Sequence, residues 1–241
     1  MIGLIFLHGW GYGPETWDDW AKVFGAAPVV VLDAGYFSPR RMALPDDLHD
    51  NLQNGLPENP DGWVGVGHSL GFARLLEMGV PWRGLVGVSG FLRFCRKPDA
   101  TTGTPPEIHD AMLHRLDVAP EDVLARFHRR CGHQRSGRGL PLAGGLARLR
   151  TDLLHLRDLD MRGMDLRPDN HLDNGPAKRP VPTLLIQALD DRIAPPELAG
   201  EAHTLLPGSR LELLETGGHA LPMTRSQDCL RLLRGFLHDL G

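Results

Sequence analysis

No stretch of this 241-residue chain comes near the run of about 20 apolar residues that a membrane-crossing helix needs. Met1 to Leu7 is too short for a secretory leader and lacks its basic start. The expectation is therefore a cytoplasmic chain without a membrane partner. Cysteine is scarce as well. Cys95, Cys131 and Cys229 are odd in number and far apart, so they offer neither a disulfide framework nor a CxxC metal pair and read as buried thiols. Charge of one sign is also missing: 26 Lys+Arg against 30 Asp+Glu leave a formal net charge of −4. That gives no global attraction for nucleic acid and leaves any electrostatic partner to a local patch. Internal repeats and low-complexity tracts are absent. What remains, 41% hydrophobic and 23% charged, is a globular composition long enough for one large domain or two small ones.

Ile2, Leu4, Ile5, Phe6 and Leu7 form a short apolar run ended by His8 and Gly9, the pattern of a buried strand opening into a loop. Val29–Leu32, Val64–Val66, Leu85–Val88, Leu184–Ala188 and Leu211–Leu214 repeat it. Between them the spacing predicts helices over Glu15–Phe24, Asp46–Asn54, Leu70–Gly79, Pro196–Leu205 and Gln227–Leu240, the last with an apolar stripe of Leu230, Leu232, Leu233, Phe236 and Leu237. Alternation of this kind predicts an α/β fold, a mostly parallel sheet with helices on both faces and its strand C-terminal ends on one ligand-binding edge. From Phe91 to Lys178 no clear strand appears, and Glu121–Arg130 and Leu146–Leu159 read as helices. This segment enters after one strand and leaves before the next, so it is expected to be a helical cap, residues 91–178, inserted into a core of 1–90 and 179–241. The cap carries 15 Lys+Arg against 12 Asp+Glu, and from Val123 to Arg162 nine Arg face three Asp, a basic bias that the rest of the chain does not share.

Gly67-His68-Ser69-Leu70-Gly71 is a G-x-S-x-G sequence set between a predicted strand and a predicted helix. Such a turn lifts the serine Oγ over the sheet edge and needs small neighbours where backbones approach; the plainer reading is a glycine-rich turn with a capping serine. A serine hydroxyl requires a base and a group to orient that base before it becomes a nucleophile. Loops after later strands supply both types: Asp190 and Asp191 follow Leu184–Ala188, and His219 follows Gly217-Gly218 after Leu211–Leu214. The two aspartates compete for the orienting role, the loser becoming a turn cap or a surface carboxylate. His8 and His68 read as loop supports, and His203 and His238 as exposed helix residues. Acyl transfer also needs two N–H donors for an oxyanion, and Trp10, in His8-Gly9-Trp10-Gly11, and Leu70 stand in the two required places. The Trp10 indole, with Phe91 and Leu92, is expected to line an acyl groove under the cap. Gly9-x-Gly11-x-Gly13 is not a dinucleotide fingerprint, because Pro14 stands where the spacing needs glycine. No cofactor and no metal is expected.

These residues together resemble the α/β-hydrolase superfamily over essentially the whole chain: Leu7-His8-Gly9-Trp10-Gly11, Glu15-Thr16-Trp17, the Ser69 pentapeptide, Asp191-Arg192-Ile193-Ala194-Pro195 and Gly217-Gly218-His219. The family's D-x-x-x-P habit favours Asp191 over Asp190. The resemblance implies a catalytic Ser69, Asp191 and His219. Within the superfamily the Gly-Trp-Gly loop is similar to that of the pimeloyl-ACP methyl ester esterases of biotin synthesis. This implies a small-molecule or carrier-linked acyl methyl ester as substrate and an acidic acyl carrier protein engaged by cap arginines, of which Arg126, Arg129 and Arg130 are candidates. Two features depart from the family pattern. The loop after the second strand is Asp33-Ala34-Gly35-Tyr36-Phe37-Ser38 rather than D-x-P-G-x-G-x-S, and the chain opens directly on the strand before the oxyanion loop. Acyl transfer, thioester or C–C bond cleavage, and non-catalytic ligand binding are the alternative readings of the same constellation.

Overall fold

The computed structural model describes residues 1–37, 61–133, 141, 143–163 and 180–241. The predicted helix Asp46–Asn54 lies outside the described residues, as do Arg135 and Arg138, two of the nine arginines between Val123 and Arg162. In chain order the elements are β1 (Gly3–Leu7), a 3-10 turn (Pro14–Trp17) running into α1 (Asp18–Val23), β2 (Val29–Leu32), β3 (Trp63–His68), α2 (Leu70–Glu77) and β4 (Gly84–Val88). Three helices follow, α3 (Pro106–Val118), α4 (Pro120–Arg130) and α5 (Ala143–Asp158). The chain closes with β5 (Thr183–Ala188), α6 (Pro196–Leu205), β6 (Arg210–Leu214), α7 (Leu221–Thr224) and α8 (Ser226–Asp239).

The strands form one six-stranded sheet, ordered β2-β1-β3-β4-β5-β6, in which every neighbouring pair is parallel. The period-2 alternation of strand side chains sorts the apolar residues onto two faces. Leu4, Phe6, Val64, Val66, Val86, Val88, Leu184 and Ile186 pack with Trp17 and Trp20 and with Leu230, Leu233 and Phe236 of α8. Ile5, Leu7, Leu85 and Leu185 pack on the opposite side with Phe72 and Leu75 of α2 and Leu198 and Ala202 of α6. That second cluster continues into the helices between β4 and β5 through Leu116, Leu124, Leu149, Leu153 and Leu156. These helices therefore bury their apolar faces against the sheet layer.

All six strands fall where the apolar runs place them; β1, β3, β4 and β5 are buried on both faces, which makes a continuous apolar run, and the edge strands β2 and β6 are only partly covered. The helix α3 had no separate signal. It buries only His109 and Leu116 fully, so no apolar stripe at a spacing of three and four marks it.

On α8, Leu233 is fully buried, whereas Gly235 faces open space. Leu233→Ala should cost about 2–5 kcal/mol through the cavity it leaves, and Gly235→Ala should add roughly 0.5–1 kcal/mol by helix propensity. Urea unfolding measures both; similar effects at the two positions would contradict this packing.

Candidate active site

The parallel sheet brings the C-terminal ends of its strands to one edge, and a group of polar residues meets there. Ser69, between β3 and α2, has φ +54 and ψ −123, a conformation that a non-glycine residue adopts only at a cost of about 1–3 kcal/mol. The neighbouring glycines explain why the turn closes. A Cβ on Gly67 would strike the backbone of Phe72, and one on Gly71 would strike the carbonyl oxygens of Leu7 and His8. Both positions need a bare backbone for α2 to pack this close to β1 and β3.

His219 Nε2 lies 2.9 Å from Ser69 Oγ, and His219 Nδ1 lies 2.8 Å from Asp191 Oδ2. His219 is fully buried and Asp191 is 5% exposed. Asp191 Oδ1 accepts the N–H groups of Ile193 (2.8 Å) and Ala194 (2.9 Å), while Oδ2 also takes a bond from Gln187 Nε2 at 3.1 Å. Burial alone would push this carboxyl up. The His219 ring and the hydrogen bonds from His219, Ile193 and Ala194 outweigh burial and hold it below the usual carboxylate range. An ionised Asp191 fixes the tautomer: Nδ1–H donates to it, which leaves Nε2 as the acceptor for the Ser69 hydroxyl. Asp190 Oδ1 instead accepts the Gly218 N–H at 2.8 Å, so the two aspartates divide between the histidine ring and the loop that carries it.

His68 and Ser89 complete the support of His219. The His219 carbonyl accepts His68 Nε2–H at 2.8 Å and Ser89 Oγ–H at 3.1 Å. His68 is fully buried, and burial together with the nearby His219 ring lowers it from 6.5 to about 3. His8 supports the other side of the edge, donating from Nδ1 to the Gly9 carbonyl (3.0 Å) and accepting the Ala34 N–H at Nε2 (3.0 Å). Nothing in the sequence assigns the parts played by Ser89 and His68 in holding the His219 carbonyl, nor that of Gln187 beside Asp191. The available signal for Gln187 was a lone polar side chain within the apolar run Leu184–Ala188.

Leu70 opens α2, where a backbone N–H has no acceptor within the helix, and the Trp10 N–H has none among the described residues. The loop carrying Trp10 is held from the inserted helices. Trp10 Nε1–H donates to the Leu149 carbonyl of α5 at 2.8 Å, and His128 Nε2–H of α4 donates to the Gly11 carbonyl at 2.9 Å. A cavity of about 240 Å³ opens over Ser69 between Trp10, Phe127, Ile193 and the faces of α3 and α5. It adjoins an outer cavity of about 1080 Å³ with which it shares Ile108, Met112, Phe127, Arg130, Arg192 and Ile193. Trp10 is among the residues lining the inner cavity, whereas Phe91 and Leu92 are packed into the core. The Phe91 ring sits 5.3 Å from that of Phe94, and Phe94 supplies the aromatic wall instead.

Described residues of the outer rim include Arg115, Arg126, Arg129, Arg130 and Arg192 with one carboxylate, Asp190. Arg115 and Arg126 share Asp122, at 2.7 and 3.0 Å. Arg129, Arg130 and Arg192 face no carboxylate within ion-pair distance among the described residues, and Arg130 donates instead to the Arg192 carbonyl at 3.0 Å. The mouth is therefore positively charged. No helix among the described residues is long and apolar enough to cross a membrane. Cys95, Cys131 and Cys229 are buried and unbridged, and burial pushes their thiols up to about 11, 12 and 12.

The Alpha/beta hydrolase family matches residues 4–232. This chain is an α/β-hydrolase. It is 28% identical over 267 aligned positions to the pimeloyl-[acyl-carrier protein] methyl ester esterase of Aromatoleum aromaticum, covering 95% of this chain and 96% of that one. Its fold is similar to that of an esterase from Exiguobacterium antarcticum (TM-score 0.78, 17% identity, 99% of this chain and 92% of that one). It is also similar to a bromoperoxidase from Bacillus anthracis (TM-score 0.75, 18% identity, 98% and 91%). In this hydrolase the strand ends bring a hydroxyl, an imidazole and a carboxylate into one hydrogen-bonded chain, an arrangement able to draw a proton from Ser69 as Oγ attacks an electrophile.

Because His68 titrates near 6.5 when unfolded and about 3 when folded, the unfolded chain binds more protons between those values. The stability due to a neutral His68 is complete above the unfolded value and is lost as the pH falls below it. Between pH 7 and 5 the protein should lose on the order of 2 kcal/mol more stability than His68→Gln, whose amide still donates to the His219 carbonyl. Equal losses in urea unfolding would contradict the assignment.

Proposed function

We propose that this α/β-hydrolase is a cytoplasmic serine carboxylic-ester hydrolase acting through an acyl-enzyme. Its substrate is an acyl-chain methyl ester carried on acyl carrier protein, of the pimeloyl type. The observation that carries the reading is the buried Ser69–His219–Asp191 chain at 2.9 and 2.8 Å beneath a cavity that includes Ser69. In this reading residues 91–178 act as a cap over the core.

Ser69 Oγ attacks the ester carbonyl carbon while His219 Nε2 takes the hydroxyl proton, and the resulting imidazolium is stabilised by the ionised Asp191. The carbonyl oxygen, now negative, receives the Trp10 and Leu70 N–H groups, donors worth about a hundred- to a thousandfold each in rate. His219 returns its proton to the departing alcohol, leaving the acyl group on Ser69. A water then attacks the acyl carbon, gives its proton to His219, and the collapse of the second oxyanion releases the acid and restores Ser69.

Two features support a carrier-linked substrate. One is the likeness over nearly the full length to an esterase named for such a substrate. The other is the arginine-rich mouth, whose Arg126, Arg129 and Arg130 would face the acidic surface of a carrier.

Incubation with free and carrier-linked methyl esters tests the reaction: alcohol and acid should appear together, and release of neither would overturn it. Ser69→Ala and His219→Ala should each lower turnover by at least about a thousandfold, whereas Asp190→Asn, which keeps an oxygen for the Gly218 N–H, should lose little. A dead Asp190→Asn beside an active Asp191→Asn would reverse the assignment of the acid. Charge reversal at Arg126 and Arg129 should weaken binding of the carrier-linked ester by about tenfold; unchanged affinity would remove the docking surface.

A further inference from the structure

The inner cavity has apolar walls from Phe94, Ile108, Met112, Leu153 and Leu156, and among them stands one imidazole, His109 of α3. This side chain is only 1% exposed. Its Nε2 lies 2.6 Å from the Leu153 carbonyl of α5. A ring nitrogen that bonds a carbonyl must carry the proton, so in the neutral ring the lone pair is on Nδ1. Nδ1 is buried and has no partner among the described residues. The Phe94 ring, 5.9 Å away and edge-on, closes one side of the imidazole without offering it a hydrogen bond. Burial lowers the affinity of the ring for a second proton, a tendency that the Leu153 bond only partly offsets, so the acceptor persists at neutral pH.

A buried acceptor without a donor is costly, and a ligand that brings the donor recovers what was lost on desolvation. We infer that His109 Nδ1 is a specificity-determining acceptor in the acyl-binding cavity, and that it selects chains bearing a neutral hydrogen-bond donor, a hydroxyl or an amide N–H, over plain alkyl chains. A carboxylate is selected against, since it would set lone pairs against the Nδ1 lone pair and place its charge among apolar walls. The inference rests on the ester-hydrolase reading only for the position of the reacting carbon at Ser69. The chemistry of the donor, not its source, is what the imidazole reads.

The test compares matched methyl esters across several chain lengths: unsubstituted, hydroxylated, amide-containing and ω-carboxylate. It uses kcat/KM for the native protein and the calorimetric Kd for Ser69→Ala. At the chain length that reaches His109, the hydroxylated or amide ester should exceed the unsubstituted one by about tenfold or more on both measures. Comparison of the hydroxyl and amide series tells which source the pocket accepts. In His109→Phe the ratio between the two esters should fall to about one, whatever change in turnover the two esters share. A merely structural His109 would instead lower both esters together and leave their ratio unchanged. No preference in the native protein at any chain length overturns the inference without recourse to a variant. Preference in Kd without turnover on any ester would sustain it and remove the hydrolase reading; turnover without preference would do the reverse.

Discussion

The site depends on one fully buried histidine whose polar groups are engaged at once. Nδ1 of His219 meets Asp191, Nε2 meets Ser69, and the carbonyl takes bonds from His68 and Ser89. The peptide N–H of the next residue, Ala220, donates to the Cys131 carbonyl at the end of α4. These partners follow or end four elements, β3 carrying both His68 and Ser69, so the ring can be placed only if β3, β4, β5 and the end of α4 are in register together. A buried polar group left without its partner costs as much as a typical destabilising mutation, and this linkage makes the fold and the site one cooperative unit.

The inserted helices are part of that unit. Trp10 and Gly11 are held by α5 and α4 through Leu149 and His128. The same α5 is fastened to the core by Asp152, which accepts Tyr36 Oη–H at 2.5 Å and pairs with Arg74 of α2 at 2.6 Å. A Cβ on Gly145 would collide with the Tyr36 carbonyl, so the helix can approach this closely only with glycine there. The loop that carries Trp10 is thus held in place by the helices between β4 and β5, and a shift of α5 would move that loop. Burial of Tyr36 itself, and then the charge and hydrogen bond of Asp152, push the phenol further from ionisation, which keeps it a donor.

How far the sequence discloses this depends on the range of the interaction concerned. The six strands and the Ser69 turn are local patterns, continuous apolar runs and glycines at fixed offsets, and they are legible residue by residue. Asp191 and His219 are legible because chain order and the D-x-x-x-P spacing constrain them. Ser89 and His109 make their bonds to residues far away in sequence, and nothing local marks them, whereas Gln187 bonds the nearby Asp191 and Ala194 and shows in the sequence only as a lone polar side chain within an apolar run. Phe91 illustrates the limit: it lies in the expected place after β4, yet packing turns it into the core and leaves Phe94 facing the cavity. Arg192 lies inside the recognised Asp191–Pro195 stretch, but its place on the basic mouth appears only when α4 is packed beside it. The arginines of the insertion were visible as a composition, whereas their pairing with Asp110, Asp117 and Asp122 depends on the fold.

The most direct measurement of the central claim is covalent labelling with an active-site-directed fluorophosphonate, read by intact mass and peptide mapping. The account predicts one adduct per chain, on Ser69, formed rapidly by the native protein and suppressed in His219→Ala even though the serine is still present. No adduct on the folded native protein, or an adduct on Ser69 that forms equally fast without the imidazole, would contradict it.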